Sequence, residues 1–313
     1  MGGIKTWSTP AIEEERRHIP CTLCGGTVFR PALDCEGFSY VRCTRCSLVQ
    51  MNPQPTAEHI ARRYQNQNRE NYLDYELANE EAFLNLQLLA LDDIAFEEIE
   101  ADILRGRPIP PDSKSPQGDA RLAPSSGLAN SARFLDVGCA TGSLIHAMSK
   151  RGWNTVGVEI SRDMASWAVE HRGLDVRPQR LEECAFAESS FKVVHASHLV
   201  EHLNNPATFV DEVARILAEG GWFIVTTPAI DGWQARLTGA RWRSAIFDHL
   251  YLFSRKTLRK LLEDRGFVIE RQSSWGGLAA GMAPAWIKKP VDKLAKRCNG
   301  GDVILYAARK HGY

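Results

Sequence analysis

Four cysteines of this chain fall in two C-x-x-C pairs near the start of the sequence. Cys21 and Cys24 form the first pair, Cys43 and Cys46 the second, and 18 residues separate the pairs. This spacing is typical of structural zinc sites. Four thiolates complete the tetrahedron around one Zn²⁺, so such an ion stabilises a fold and has no open position for catalysis. The sequence predicts a structural zinc site in a reducing, cytoplasmic compartment.

A glycine turn in the stretch FLDVGCATGSL, residues 134–144, is the second feature that could form a functional site. An apolar run leads into Gly138, and a helical pattern follows it. Dinucleotide sites require G-x-G-x-x-G, but Ala140 and Ser143 occupy the second and third glycine positions here. The turn therefore indicates a nucleotide-like ligand other than a dinucleotide.

Three further residues define the pattern around this turn. Asp136 precedes Gly138 by two residues, and Gly142 follows it by four, giving D-x-G-x-x-x-G. The next apolar run ends at Glu159, 21 residues after Gly138. A carboxylate at the end of a strand accepts hydrogen bonds from the two hydroxyls of a ribose better than a neutral side chain does.

Histidines cluster in the stretch VVHASHLVEHLNNP, residues 193–206. An unperturbed His titrates near neutral pH, so His198 is predicted to be the general base. His198, Glu201 and His202 also share one helical face, and the alternative is that they bind a divalent ion such as Zn²⁺ or Mn²⁺. A structural role with a backbone hydrogen bond is the other interpretation of His202. His249 is a further catalytic candidate, and His195 is predicted to be a hydrogen-bonded core residue.

The order of elements must position these residues. From residue 132 onward, short apolar runs such as RFLDVG, NTVGVEIS and FKVVHASH alternate with amphipathic helical patterns. This alternation predicts an α/β domain with a parallel sheet covered on both faces. Ligands bind at the carboxyl ends of the strands in such sheets. The glycine turn, Glu159 and His198 all follow predicted strands at that edge.

The chain divides into five predicted segments. Residues 1–20 form a flexible N-terminus, 21–55 a zinc ribbon, 56–105 a helical connector, 106–131 a Pro/Ser/Gly-rich linker or loop, and 132–313 the α/β domain. Apolar residues at helical spacing predict one long helix or two consecutive helices in the connector. That helical surface packs on the α/β domain or on a second copy, which makes a homodimer through the connector one prediction.

Charge and hydropathy exclude some classes of partner. The 38 basic and 38 acidic side chains cancel, so no overall field attracts nucleic acid or an anionic membrane. No apolar run reaches the ~20 residues that a membrane-spanning helix needs. Neither nucleic acid binding nor membrane insertion is predicted.

Residues 130–313 resemble class I S-adenosylmethionine-dependent methyltransferases. The resemblance rests on the D-x-G-x-x-x-G turn, on Glu159 and on the later stretches LAEGGWFIVTTP, DHLYLFSRKTL and EDRGF. It implies a Rossmann-like domain with a seven-stranded mixed sheet and S-adenosylmethionine as cofactor. The implied donor site consists of Asp136, Gly138, Ala140 and Gly142 for the methionine portion, Glu159 and the adjacent Ile160 for the ribose, Leu181 and Glu182 for the adenine, and Ala196 on the fourth strand.

The head adds a second resemblance. The pattern C-x-x-C … R-C-x-x-C-x-L-V-x-x-N-P before a methyltransferase domain resembles enzymes that modify sugars and natural products, including deoxysugar methyltransferases, in which the zinc head packs by the acceptor site. A subgroup of quinone-type O-methyltransferases carries E-x-x-E-H where this chain has H-x-x-E-H, and binds a divalent ion there. His198 replaces a Glu of that pattern.

The sequence thus predicts methyl transfer from S-adenosylmethionine to a small-molecule or glycan acceptor, through a hydroxyl of a sugar or secondary metabolite, with a His as general base. Two alternatives remain at this stage. Zinc ribbons also precede some rRNA methyltransferases, which favours an RNA (rRNA or tRNA) substrate, and a cofactor-binding scaffold without turnover would carry the same donor motif.

Overall fold

The computed structural model describes residues 16–56, 58–60, 69–104, 132–277 and 284–311. The predicted linker at 106–131 and most of the predicted flexible N-terminus lie outside these ranges. In chain order the strands are β1 (Arg16–Arg17), β2 (Phe29–Cys35), β3 (Phe38–Cys43), β4 (Val49–Met51), β5 (Gln54–Pro55), β6 (Arg133–Val137), β7 (Asn154–Val158), β8 (Val176–Arg177), β9 (Phe191–Ser197), β10 (Leu217–Pro228), β11 (Tyr251–Leu252), β12 (Phe267–Trp275) and β13 (Val303–Lys310). The helices are α1 (Arg69–Asp93), α2 (Phe96–Leu104), α3 (Ser143–Lys150), α4 (Arg162–Arg172), α5 (Pro206–Ile216), α6 (Trp233–Thr238), α7 (Arg255–Glu263) and α8 (Ala285–Arg297), with short 3₁₀ turns at Leu181–Glu183 and Gly239–Arg241.

Seven strands form the main sheet in the order β12-β13-β10-β9-β6-β7-β8. The strands from β8 to β10 are parallel, and β13 runs antiparallel to both β10 and β12. The predicted α/β fold with a seven-stranded mixed sheet is confirmed. Since helices cover both faces, central strand residues such as Phe134, Val194 and Val225 have no exposed surface.

One element boundary differs from the prediction. The stretch ATFVDEVARILAEG, residues 207–220, has a pattern that predicts a helix up to Gly220, but α5 ends at Ile216 and β10 begins at Leu217. Leu217 pairs with Phe191 of β9, and the register shifts before the next pair, Trp222 with Val193. The irregularity lies at Gly220, whose φ of +68° favours glycine. The first residues of β10 therefore form a strand, because they pair with β9, although their local pattern is helical.

The cysteine head forms a four-stranded sheet in the order β11-β4-β3-β2. Its fourth strand, β11, comes from the α/β part of the chain, where Tyr251 pairs with Gln50 and Leu252 with Val49. In addition, β1 pairs with β5, so Arg16 and Arg17 of the predicted N-terminal segment are in a strand. The head and the α/β domain thus share a sheet.

Between residues 69 and 104 the connector contains two helices, α1 and α2, which meet at Ala95 with a φ of +50°. Phe96 of α2 packs on Phe134 and Trp153, with ring centroids 6.2 and 6.1 Å away. Glu100 accepts a hydrogen bond of 2.7 Å from Trp153 Nε1 and pairs with Arg151. These contacts attach α2 to the sheet.

A helix that the sequence analysis did not predict, α8, connects the end of β12 to the start of β13. Val303, the first residue of β13, pairs with Pro228 at the carboxyl end of β10. Asp292 of α8 accepts a hydrogen bond of 2.9 Å from the N–H of Gly277, just after β12. The C-terminal part of α8 therefore lies beside the ligand-binding edge of the sheet. Within the described ranges, no helix has both the length and the apolar character needed to span a bilayer.

Candidate active site

The glycine turn connects β6 to α3 at the carboxyl edge of the sheet. Gly138 and Gly142 have φ values of +78° and +77°, and Ala140 between them has a φ of +48°. A Cβ on Gly142 would lie 2.7 Å from Leu174 Cδ1, so only glycine fits there without rearrangement. Gly138 N donates to Val158 O at 2.8 Å, which holds the turn against β7. Ala140 keeps a left-handed conformation where the family pattern has glycine.

Glu159 lies immediately after β7 and faces the same turn. Its Oε2 accepts a hydrogen bond of 3.0 Å from Ala140 N, and its Oε1 accepts one of 2.8 Å from Ser161 N. Burial raises the pKa of Glu159, and the two backbone N–H groups oppose that rise. Each carboxylate oxygen has a second lone pair for a ligand hydroxyl. Two predicted donor residues, Ala140 and Glu159, are therefore in direct contact.

Asp136 differs from the other predicted donor residues in its surroundings. It is 2% exposed, and its Oδ1 lies 2.7 Å from Nδ1 of His195 on β9. His195 is also 2% exposed, so it is the buried, hydrogen-bonded residue that its position in mid-strand predicted. This pair connects β6 to β9 beneath the turn.

The connector reaches the donor turn through a contact that the sequence analysis missed. Thr141 Oγ1 donates to Glu80 Oε1 of α1 at 2.7 Å, and Arg172 of α4 pairs with the same carboxylate at 2.5 Å. Burial raises the pKa of Glu76, one turn earlier on α1, and the charges of Glu159 and Glu80 raise it further. The only signal in the sequence was the acidic character of the connector.

A cavity of about 370 Å³ opens at this edge of the sheet. The predicted donor residues in its lining are Gly138, Ile160, Leu181 and Glu182. His202 and Leu199 line it as well, so one cavity joins the predicted donor site to the histidine region. Ala196 is fully buried in β9 and is not among the lining residues. A larger cavity, about 490 Å³, lies between α1, α2 and Arg151 and contains none of the predicted site residues.

His198 directly follows β9 and has a left-handed φ of +52°, which costs free energy for a residue other than glycine. Its N–H donates to Thr226 O at 3.0 Å, which keeps the backbone at the strand end. The side chain is 48% exposed, and Nδ1 lies 3.3 Å from Glu201 Oε1. Strained residues of this kind cluster at ligand-binding sites.

Glu201 has no exposed surface. Its Oε2 accepts a hydrogen bond of 3.0 Å from Thr227 Oγ1, while Oε1 makes no hydrogen bond of acceptable geometry within the described residues. Burial acts to raise the pKa of Glu201, but the adjacent His198, His202 and His249 lower it to about 2. A charged carboxylate is therefore buried beside three histidines, with its Oε1 3.3 Å from Nδ1 of His198.

His202 and His249 are held in similar ways. His202 Nδ1 lies 2.9 Å from Asp248 O, and His249 Nδ1 lies 2.8 Å from Ser244 O. When Nδ1 donates to these carbonyls, Nε2 of each ring is free to accept a proton or bind a cation. Glu201, His202 and His249 each offer one ligand atom, and these three atoms lie within 4.8 Å of one another. The structure thus groups His249, from a distant part of the chain, with the predicted Glu201 and His202.

The head contacts the histidine region directly. The Tyr40 hydroxyl of β3 lies 2.7 Å from His249 O and 2.8 Å from Ile246 O. Met51 N donates to Leu250 O at 2.8 Å, and Leu250 N donates to Glu201 O at 2.7 Å. A continuous set of hydrogen bonds therefore connects β3 and β4 to Glu201 and His249.

The four predicted zinc ligands come together within the head. The sulfur atoms of Cys21, Cys24, Cys43 and Cys46 lie within 4.8 Å of one another. Cys21 and Cys46 sulfurs are 3.4 Å apart, and those of Cys24 and Cys43 are 3.5 Å apart. Tetrahedral Zn²⁺ with Zn–S bonds of ~2.3 Å requires S–S separations of about 3.8 Å. The donor set and its spacing therefore suit Zn²⁺ after a small expansion.

Asp302 is another residue that the sequence analysis missed. It is fully buried before β13, where Oδ1 accepts a hydrogen bond of 2.7 Å from Trp242 Nε1 and Oδ2 one of 3.1 Å from Arg243 Nε. These bonds hold the connection between β10 and β11, the segment that contains His249. An acid directly before an apolar strand, in NGGDV, was the available signal.

The strand order, the glycine turn and the carboxylate after β7 together define a class I S-adenosylmethionine-dependent methyltransferase domain. A family described as "Methyltransferase domain" matches residues 111–272, which is more than half of the chain. The chain belongs to this family, and the predicted class is confirmed.

Two curated relatives are similar to part of this chain. Ubiquinone biosynthesis O-methyltransferase of Methylococcus capsulatus is 33% identical over 101 residues, covering 30% of this chain and 43% of that protein. The Hahella chejuensis protein of the same name is 35% identical over 101 residues, covering 30% and 42%. This chain thus spans less than half the length of either relative. Among solved structures, an S-adenosylmethionine-dependent methyltransferase from Archaeoglobus fulgidus has a TM-score of 0.44 and 18% identity, covering 57% of this chain and 86% of that one.

Proposed function

We propose that this protein transfers the methyl group of S-adenosylmethionine to a hydroxyl oxygen of a small organic acceptor. Family membership supports the donor, and the curated relatives, named as O-methyltransferases, favour an oxygen acceptor. The observation that carries the proposal is Glu201, a buried carboxylate whose Oε1 lies 3.3 Å from His198 Nδ1 and whose neighbour His202 lines the donor cavity.

The donor site is assigned to the residues around the 370 Å³ cavity and the glycine turn. In this proposal the donor's methionine portion lies against the turn from Gly138 to Gly142, and the ribose hydroxyls donate to Glu159. Leu181 and Glu182 contact the adenine, and Ile160 packs beside it. Asp136 acts indirectly, since its bond to His195 fixes the backbone beneath the turn.

His198 is proposed as the general base. The acceptor oxygen attacks the methyl carbon in line with the S–C bond, which breaks and leaves S-adenosylhomocysteine, while the hydroxyl proton passes to His198. Glu201 stabilises the imidazolium that forms, because its carboxylate lies 3.3 Å from His198 Nδ1. His202 and His249 help to keep Glu201 ionised.

The test is His198→Ala, assayed by S-adenosylhomocysteine release over a panel of catechols, phenols and sugars. We expect kcat to fall by roughly 10²- to 10⁴-fold, with the donor Kd unchanged, since general base catalysis contributes that much. His171→Ala, an exposed histidine of α4, is the matched control. An unchanged kcat for His198→Ala would refute the base assignment. The same panel tests the predicted sugar or glycan acceptor.

A divalent ion is the second candidate for activation of the acceptor, favoured by the convergence of Glu201, His202 and His249 within 4.8 Å. Metal-binding histidines usually donate the other ring N–H to a carbonyl, as the Nδ1 atoms here are placed to do. These three residues would hold the ion, which would lower the pKa of the acceptor hydroxyl. Two metal ions per chain by elemental analysis, falling to one in His249→Ala, would establish this site, whereas one ion in both proteins would refute it.

The head is proposed to hold a structural Zn²⁺ through Cys21, Cys24, Cys43 and Cys46. Its role is to fix β3 and β4, which contact the His249 segment. A homodimer through the connector stays a prediction, with Tyr75, Leu86 and Leu89 as its exposed apolar residues on α1.

The two alternative functions are open to direct test. Turnover of a small acceptor with no salt-dependent binding to rRNA or tRNA would exclude the RNA substrate. Donor binding without turnover across the whole panel would favour a scaffold instead.

A further inference from the structure

The solvent-facing side of α8 carries two parallel rows of exposed side chains. Trp286 is 76% exposed, the highest value among the exposed large apolar residues that the structure describes, and Leu294 is 51% exposed. Residues four apart along a helix lie on one face, so each row is continuous. The apolar row contains Trp286, Pro290 and Leu294, and the basic row contains Lys289, Lys293 and Arg297.

The two acidic side chains that pair with lysines of α8 do not pair with its exposed basic row. Lys288 pairs with Asp292, the single acid of this helix, and Lys296 pairs with Asp93 of α1. Across the part of the chain that the structure describes, Lys289, Lys293 and Arg297 form no ion pair. The exposed face is therefore locally cationic, although the net charge of the chain is zero.

The inner side of α8 is fixed to the protein. Ala295 is fully buried, and a Cβ on Gly277 would lie 2.9 Å from the Ala295 Cβ. The chain after α8 contacts the connection between β10 and β11, where Gly300 O accepts a hydrogen bond from Trp233 N at 3.1 Å. The two rows therefore lie on an anchored helix whose C-terminal end adjoins the connection that contains His249.

We propose that α8 docks this protein reversibly on an anionic lipid membrane. Trp and Leu favour the boundary between head groups and acyl chains, and Lys and Arg beside them attract anionic head groups. A single short helix gives weak peripheral binding, with no insertion across the bilayer. If the proposed function is correct, docking brings the connection that contains His249 close to the membrane, so an acceptor can reach the site from the lipid surface.

Cosedimentation of the full chain with vesicles tests this proposal. We expect binding to equimolar phosphatidylcholine and phosphatidylglycerol, no binding to phosphatidylcholine alone, and loss of binding at high salt. Because each basic residue near an anionic surface contributes about fivefold, the double variant Lys289→Glu/Lys293→Glu should reduce binding by at least about tenfold. Trp286→Ser should also reduce it, through the loss of apolar contact.

The controls change equivalent residues outside α8. Lys150→Glu/Lys256→Glu removes two exposed lysines, and Leu86→Ser removes an exposed apolar side chain of α1. Both should bind vesicles like the wild type, and all variants should keep the wild-type melting temperature and donor Kd. Because vesicle binding is measured without an acceptor, its outcome is independent of the proposed methyl transfer.

Three results would overturn the proposal. The wild type could fail to sediment with anionic vesicles, or the α8 variants could bind them as well as the wild type. Binding to polyglutamate instead of vesicles, weakened by Lys289→Glu/Lys293→Glu, would replace the membrane with an acidic protein partner.

Discussion

The proposed donor side and the proposed acceptor side of the candidate site are built from the chain in opposite ways. The donor turn and Glu159 lie within about one βαβ unit, and the contacting pair Ala140 and Glu159 is separated by 19 positions. The acceptor side combines Tyr40 of the head with Glu201 and His249, and Tyr40 contacts a carbonyl 209 positions away. Local sequence can specify the donor side, whereas the acceptor side depends on how distant segments pack.

The two sides should differ in how much sequence change they tolerate. Two glycines and one carboxylate fix the backbone of the donor turn. Few substitutions are tolerated there, because each of these residues is needed for the turn geometry. An acceptor side held by a separate small sheet can change its shape through the head while the donor turn stays the same. The following changes test the independence of the two sides.

Loss of the zinc site should have the largest effect and should be confined to the acceptor side. Structural Zn²⁺ contributes roughly 10–16 kcal/mol of binding free energy in small zinc domains, so Cys43→Ser should destabilise the head severely. Elemental analysis should find one zinc fewer than in the wild type, and methyl transfer should fall while the donor Kd is unchanged. Cys298→Ser, an exposed cysteine outside the cluster, is the control. Full zinc content in Cys43→Ser would contradict the assignment.

Glu159→Ala should break the donor side alone. It removes two charge-assisted hydrogen bonds to the ribose, about 3–6 kcal/mol in total, which weakens donor binding by ~10²- to 10⁴-fold. Calorimetry of S-adenosylhomocysteine binding measures this, and Glu170→Ala, an exposed acid on α4, is the control. Glu159→Gln keeps one of the two backbone hydrogen bonds, so it should also bind weakly but have a melting temperature closer to the wild type than that of Glu159→Ala, which separates donor recognition from folding. Unchanged affinity in both variants would exclude Glu159 as the ribose ligand.

Acid should weaken the acceptor side through His249. Burial, with His202 and His198 adding to it, lowers the pKa of His249 from 6.5 to about 4. The unfolded chain therefore binds this proton more readily, and stability falls as pH drops from about 6.5 toward 4. The shift corresponds to at most about 3 kcal/mol. Urea unfolding at pH 7 and pH 5 should show a smaller pH dependence for His249→Gln than for the wild type; equal slopes would contradict this.

The smallest expected effect is at Ala140, whose φ of +48° suits glycine. Ala140→Gly removes a left-handed strain of ~1–2 kcal/mol but increases unfolded-state entropy by ~0.4–1 kcal/mol. We expect a net stabilisation of up to about 1 kcal/mol by thermal unfolding, with Ala132→Gly, also at positive φ but outside the donor turn, for comparison. A loss of stability would show that the Ala140 methyl group makes favourable contacts in the turn.

Several features of the fold were predictable because they rest on local patterns. Alternating apolar runs and amphipathic helices gave the seven strands of the main sheet, and cysteine spacing brought four thiols to one place. The extent of β10 was not predictable, because its first residues follow a helical pattern and are in a strand only through pairing with Phe191. The same applies to β11, two residues long, which exists as a strand because it pairs with β4.

The residues of the candidate site also fall into a group that local sequence predicts and a group that only packing brings together. Glycine positions, the acid after β7 and the H-x-x-E-H spacing can be read from the sequence, since each depends on residues close along the chain. By itself the sequence determined the methyltransferase class and the residues available for the donor. Only the tertiary structure brought His249 beside Glu201, placed Tyr40 under its backbone and turned the two rows of α8 to solvent. Contacts between residues about 200 positions apart depend on the packing of whole elements, and no local spacing encodes them.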